Sequence, residues 1–473
     1  ANMAFALCPL LNQAACELLA THGSAALKAA FLEKMVSGEW SGTMNLTEPQ
    51  AGSDLSRVRA KAVRHGQHYH VSGQKIFISW GEHDMAENII HLVLARSPDG
   101  IPGTKGLSLY IVPKFLVNPD GSLGARNDAK PLSLEHKLGI KASPTAVMSY
   151  GDDGGAIGYL VGEENRGIEY MFTMMNNARL AVGVEGLGVA ERAYQHALAF
   201  AGERRQGRDA ASGSNEPAPI VRHPDVRRML LSMRAQIEAV RALAYFTAAR
   251  LDAAKRHPDA ARRKECQALV DLLIPVVKAW GSDVGIDVAN TAIQIHGGAG
   301  VVEESGAPQY LRDVRVTAIY EGTNGIQAID LVGRKVAREA GATANALIAA
   351  MREVADGLSA GKNADGKAIG RALAQGCDAL ADATDWIVAN NDAMPDAVLA
   401  GAVPYLKLMA IVAGGWMMAR AAAVAAGRDD DFAADKLVTA RFYADQILVQ
   451  AEALAATVTG GWDAVGRFRA ADA

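Results

Sequence analysis

The strongest constraint on the fold is a change of rhythm along the chain. From Thr43 to about Leu160, short segments rich in β-branched and aromatic residues alternate with turns, at 59–65, 68–71, 75–80, 89–95, 107–112 and 145–149. On either side, apolar residues recur at helical spacing instead. A compact β-domain must therefore sit between helical regions. The class is α+β: a helical segment (1–42), a central β-domain (43–160), a helical bundle (161–340) and an extra all-helical C-terminal domain (341–473). His65-Gly66-Gln67-His68 reads as a hairpin turn, and the polar stretches 81–88 and 97–105 as exposed loops.

Residues 1–42 read as two helices. Leu10, Ala14, Leu18 and Leu19 line one apolar face, and Leu27, Phe31, Leu32 and Met35 the other. Gly23 is placed to end the first helix and Ser24 to cap the second. Beyond Gly162, long periodic patterns cover 168–202, 222–256 and 262–296, with a kink expected at Pro275. The Gly-, Ser- and Pro-rich stretch 209–219 reads as a loop. Paired long helices around one core make a bundle.

Composition excludes more than it selects. Among 473 residues the net charge is only −4, which argues against nucleic acid or an anionic membrane as the main partner. Cys8, Cys16, Cys266 and Cys377 have neither metal nor disulfide spacing, so no metal site is expected and a reducing, cytoplasmic location is. No signal peptide and no apolar run long enough to span a bilayer is read. The chain does not begin with Met, and its opening reads as the interior of a longer protein.

Two stretches carry chemistry. Ile319-Tyr320-Glu321-Gly322-Thr323-Asn324-Gly325 sets a carboxylate at a break between helical patterns. A carboxylate kept from water there can act as a base, because desolvation raises its pKa. On spacing alone, Glu321 reads more readily as the cap of the next helix. Far upstream lies Leu46-Thr47-Glu48-Pro49-Gln50-Ala51-Gly52-Ser53-Asp54, which alone is only a turn.

In that order, the two stretches resemble the acyl-CoA dehydrogenase family, over roughly 43–338. The resemblance implies FAD as cofactor, an acyl-CoA thioester as substrate and an electron-transfer flavoprotein as acceptor. It also implies the fold already read, with further helices before those at the start of this chain. Glu321 matches the base that takes the α proton. Ala178, in Asn176-Asn177-Ala178-Arg179, stands where other members carry the base on an earlier helix, and it cannot serve. Leu46, Thr47, Gly52, Ser53, Phe77, Ile78 and Ser79 match flavin-binding positions; Phe77 replaces a frequent Trp and, read alone, is a core aromatic. Arg204, Gln206, Gln294, Gly297 and Gly298 match positions that reach FAD across a subunit interface, so a homodimer is implied. Thr323, Asn324 and Gly325 match the last flavin contact. Ser53, Ser143, Asn176 and Arg179 match substrate-side positions. Read alone, Ser143 and Asn176 are turn or cap groups, and His296 is structural.

The helical extension is similar to the methylthiopropionyl-CoA dehydrogenase-like branch of the family. The substrate implied is 3-methylthiopropionyl-CoA or another short to medium acyl-CoA. An acyl-CoA oxidase would carry the same residues. A DNA-associated flavoprotein resembling AidB would need clustered Lys and Arg near its C-terminus. In 341–473 acidic side chains outnumber basic ones, which disfavours it.

Overall fold

The computed structural model describes residues 2–98, 100–209, 211, 213 and 215–468. Its contacts divide it into two units, Asn2–Ala181 and Val182–Ala473.

The first unit opens with α1 (Met3–His22), then α2 (Ala25–Leu27), a π-wound turn Lys28–Leu32 and α3 (Glu33–Ser37). Gly23 ends α1, and the Ser24 side chain accepts from the Leu27 amide, as the sequence indicated. The strands are β1 (Trp40–Asn45), β2 (Lys61–His65), β3 (His68–Ser79), β4 (Asn88–Arg96), β5 (Leu107–Pro113), β6 (Phe115–Val117), β7 (Leu123–Arg126), β8 (Ala129–Leu134), β9 (Thr145–Tyr150) and β10 (Ala156–Leu160). Their order in the main sheet is β1-β4-β5-β10-β3-β9-β8, and β2 pairs with both β3 and β4, which closes a ring of strands. The expected turn at 65–68 joins β2 to β3.

The period of two explains why β4 and β5 are buried nearly end to end and mostly apolar. Leu92, Leu94, Leu109 and Ile111 face one core with Leu11, Ala14, Ala15, Leu18 and Leu19 of α1. Val93, Ala95, Tyr110 and Val112 face a second core inside the ring. A strand buried on both faces loses its polar alternation.

The second unit is helical, apart from a two-stranded ribbon. The division falls within α4 (Gly167–Glu203). The ribbon follows, β11 (Arg205–Arg208) with β12 (Pro217–Pro219). This corrects the loop expected over 209–219, since 217–219 pair as a strand; residues 210, 212 and 214 lie outside the described residues. Then come α5 (Pro224–Arg256), α6 (Ala260–His296), α7 (Ala307–Val314), α8 (Asn324–Asp330), α9 (Ala342–Ala360), α10 (Ala364–Asn390), α11 (Pro395–Ala400), α12 (Ala402–Ala425), α13 (Asp431–Gln446), α14 (Ala451–Gly460) and α15 (Trp462–Arg467). The helix α6 runs through Pro275 without interruption.

Two helices, α1 and α12, are long and apolar enough to cross a membrane by length and composition. The sequence reading found none. Burial accounts for α12: 78% of its most apolar window is inside the fold, against 39% for α1. It packs on α5, α6, α10, α13 and α14. Trp416 on α12 meets Phe246 of α5 edge-on at 5.1 Å. Gly414 lies so close to Trp280 of α6 that a Cβ there would come within 2.4 Å of the ring.

Candidate active site

The second unit holds the candidate base. Glu321 sits in a loop with φ +55°, a left-handed conformation that costs a non-glycine residue energy. The surroundings fix that loop from below. Buried Lys278 on α6 donates to the Gly322 carbonyl at 2.7 Å and to Asn324 Oδ1 at 2.9 Å. Gln327 donates to the carbonyls of Glu321 and Gly322. Asn324 donates in turn to Asp283 at 2.7 Å. The cap of α8 is Thr323, whose hydroxyl accepts from the Ile326 amide. The capping reading of Glu321 is therefore wrong, because Thr323 fills that place.

Glu185 on α4 is the residue the sequence reading missed. The Tyr320 hydroxyl donates to Glu185 Oε2, and Glu185 Oε1 is buried with no hydrogen-bond partner. Burial pushes the Glu185 carboxyl up to about 7, with the charge of Glu321 adding to the effect. Burial likewise pushes the Tyr320 phenol far above its ordinary range. Glycines allow this placement: a Cβ on Gly186 of α4 would lie 2.2 Å from the Gly281 carbonyl oxygen of α6. A carboxylate between Gly183 and Gly186 on an apolar helix was the available signal.

The same unit keeps two other groups at the far end of α4. His296, which closes α6, stacks on Phe200 at 4.4 Å and meets His196 edge-on at 4.6 Å. Its Nδ1 bonds the Ala292 carbonyl, in keeping with a structural histidine. Exposed Gln294, Gly297 and Gly298 flank that anchor, and a Cβ on either glycine would meet nothing. Arg204 and Gln206, also exposed, lie just beyond Phe200. Glu185 and Phe200 are 15 residues apart on one helix, roughly 22 Å. One chain thus joins Glu321 and Thr323 of the loop to Asn324 and Gly325 of the first turn of α8 and holds the Arg204 and Gly297 groups apart from them.

The first unit builds the other candidate surface around a buried ion pair. Lys75 Nζ donates to Glu48 Oε1 at 2.8 Å and to the Leu46 carbonyl at 2.9 Å. Glu48 also accepts from the Arg59 and Ala60 amides. Burial works to raise the Glu48 carboxyl, but Lys75 and those amides hold it below its usual range. Burial lowers Lys75 to about 8 despite the opposing pull of Glu48. The Ile76 amide donates to the Thr47 carbonyl. The turn Glu48–Ala51 is thereby clamped, and Gly52 and Ser53 emerge exposed.

Beside it, β3 bulges between Lys75 and Ile78. Phe77 in that bulge has φ +60° and is 60% exposed. The reading of Phe77 as a core aromatic is therefore wrong; the bulge turns its ring outward. Ile78 is buried in the inner core, so only its backbone is available, and Ser79 is half-buried. Ser143 is fully buried and its hydroxyl has no partner. Arg179 and Ala178 are buried on α4, and Asn176 is half-buried. An outward aromatic beside a bare glycine turn offers a flat ring system a stacking face and a close backbone approach.

Comparison with known proteins agrees. Residues 43–152 match the family described as acyl-CoA dehydrogenase, middle domain. Residues 165–337 match acyl-CoA dehydrogenase, C-terminal domain, and 342–468 match acetyl-CoA dehydrogenase C-terminal like. The chain is 48% identical over 471 residues to 3-methylmercaptopropionyl-CoA dehydrogenase of Ruegeria pomeroyi, covering 98% of this chain and 79% of that protein. It is 39% identical over 360 residues to a butyryl-CoA dehydrogenase of Syntrophomonas wolfei, spanning 75% of this chain and 58% of that one. The solved structure of Caenorhabditis elegans ACDH-11 in complex with C11-CoA has the same fold, with a TM-score of 0.76 at 20% identity over 93% of this chain and 71% of that one. The chain belongs to the acyl-CoA dehydrogenase family, whose fold binds FAD and whose members are oxidoreductases acting on CH–CH groups.

Proposed function

We propose that this chain desaturates a short to medium acyl-CoA thioester at the α,β position, with 3-methylthiopropionyl-CoA as first candidate. Glu321 takes the α proton. The observation that carries the reading is the placement of Glu321 in a left-handed loop that Lys278 and Gln327 hold from below. Such a hold on the backbone carbonyls of Glu321 and Gly322 fixes the loop that carries the carboxylate. FAD, when bound, accepts the β-hydride. Leu46, Thr47, Gly52, Ser53, Phe77, Ile78 and Ser79 hold the flavin on one chain, together with Thr323, Asn324 and Gly325. Ser53, Ser143, Asn176 and Arg179 hold the thioester side of the substrate.

Arg204, Gln206, Gln294, Gly297 and Gly298 serve the flavin of the opposite subunit in a homodimer. Their separation from the Glu321 loop along α4 supports that assignment. The name of the Ruegeria relative supports the substrate. Electrons leave to an electron-transfer flavoprotein, and the four free cysteines fit a reducing, cytoplasmic setting.

The test is an anaerobic titration of purified protein with saturated acyl-CoAs of increasing length and the methylthio analogue. The flavin band should bleach, Glu321→Gln should abolish the bleaching, and the ranking of substrates reports the pocket. A bound flavin that no acyl-CoA reduces overturns the reading. Rapid reoxidation by oxygen would favour an oxidase.

A further inference from the structure

The hairpin β2–β3 gathers three imidazoles on one face. His65 and His68 are direct cross-strand partners, and His70 follows His68 by two residues. Side chains of such residues share a face because a strand alternates with period two. Their available ring nitrogens lie within 4.8 Å of one another. His68 Nε2 and His70 Nε2 are 3.3 Å apart. His65 stacks on His70 with centroids 4.6 Å apart, and His68 on His70 at 5.3 Å.

The spacing is informative. Two imidazole nitrogens on one tetrahedral zinc ion, each about 2.0–2.1 Å from it, lie about 3.3–3.4 Å from each other. Two of the three rings already stand at that separation. The third, His65, is exposed, so a side-chain rotation closes the remaining distance. The backbone opposite leaves room: a Cβ on Gly155 would come within 2.6 Å of the His70 Cβ. The cleft there is bordered by His65, His70, Ser72, Gly154 and Gly155, with Arg64 at its edge.

We propose that His65, His68 and His70 form a surface site for a borderline first-row divalent cation, with Zn2+ as the reference ion. Three imidazole nitrogens, with no carboxylate among the described residues that border the cleft, select ions that favour imidazole over hard ions that need oxygen and charge. The fourth position faces solvent, so water or an external ligand completes the shell. The ion cross-links β2 to β3 at the hairpin tip. None of the three histidines belongs to the proposed base or flavin positions.

The test uses the full chain, freed of metal with a chelator and titrated calorimetrically with Zn2+ at about pH 8, where an ordinary imidazole is neutral. One equivalent per chain should bind, and Mg2+ should not compete. His68→Gln or His70→Gln should weaken binding by more than the about 10- to 100-fold that loss of an outer partner costs a metal site. His136→Gln, which changes an exposed histidine elsewhere, should leave it unchanged. Zn2+ should also raise the melting temperature of the wild type and not of the His68→Gln, His70→Gln double variant, by mass action. No binding by the wild type, or equal binding by the folded double variant, overturns the site.

Discussion

The hydroxyl of Tyr320 donates to Glu185, so the residue just before Glu321 is tied to a second, buried carboxylate. Glu185 is raised from its ordinary 4.5 to about 7. A carboxyl with a raised folded-state pKa binds its proton more tightly when folded. Stability is therefore lost as pH rises from about 4.5 through about 7. Glu185→Gln should remove that loss. Urea unfolding should show the variant gaining on the wild type on the order of 3 kcal/mol above neutrality, and nothing near pH 4.

The same substitution bears on turnover. Charge on Glu185 opposes charge on Glu321, since like carboxylates at close range titrate as a coupled pair. In Glu185→Gln the acid limb of the rate of flavin reduction should move to lower pH. Glu321→Gln should abolish reduction at every pH. An unmoved limb would mean that Glu185 only packs.

Lys75 and Glu48 predict a different pattern. Removing one partner of a buried ion pair strands the other, which costs about 3–5 kcal/mol. Lys75→Met should therefore destabilise strongly by denaturant unfolding. The double variant Lys75→Met, Glu48→Leu should recover much of the loss, because apolar replacement of a whole pair is often tolerated.

Phe77 separates stability from cofactor binding. Its φ of +60° costs a side chain about 1–2 kcal/mol that glycine avoids. Phe77→Gly should unfold no earlier than wild type in cofactor-free thermal melts. It should lose flavin on gel filtration. Strain kept at an exposed aromatic is expected where a site needs the ring turned outward.

Gly186 tests the contact that buries Glu185. An alanine there meets the Gly281 carbonyl at 2.2 Å, and both groups are on helix backbone. Gly186→Ala should cost about 1–3 kcal/mol through overpacking, read as a lowered urea midpoint.

Much of this was legible because it is local. The 319–325 and 46–54 stretches announce themselves by short-range composition, and short β-branched and aromatic runs such as β4 against the helical spacing of α4 set the class. Glu185 was not legible, because its chemistry depends on Tyr320, 135 residues away. The Lys75–Glu48 pair hides for the same reason: each alone is a strand or turn residue. The strands β7 and β8 escaped because they are mostly exposed and carry Gly124 and Pro131, which weaken a strand pattern. The apolarity of α12 could not be sorted by composition, since a buried helix and a membrane span obey the same rule until packing is seen.

That helix has a further consequence. The regions 165–337 and 342–468 match two separately described families, yet Gly414 and Trp416 are wedged against α5 and α6 of the earlier region. A stop codon after Arg338 would not yield a smaller enzyme. It would leave Trp280 and Phe246 without the α12 residues that cover them, and the exposed apolar surface would make the fragment a substrate for quality control. What looks like two modules along the gene is a single unit of inheritance.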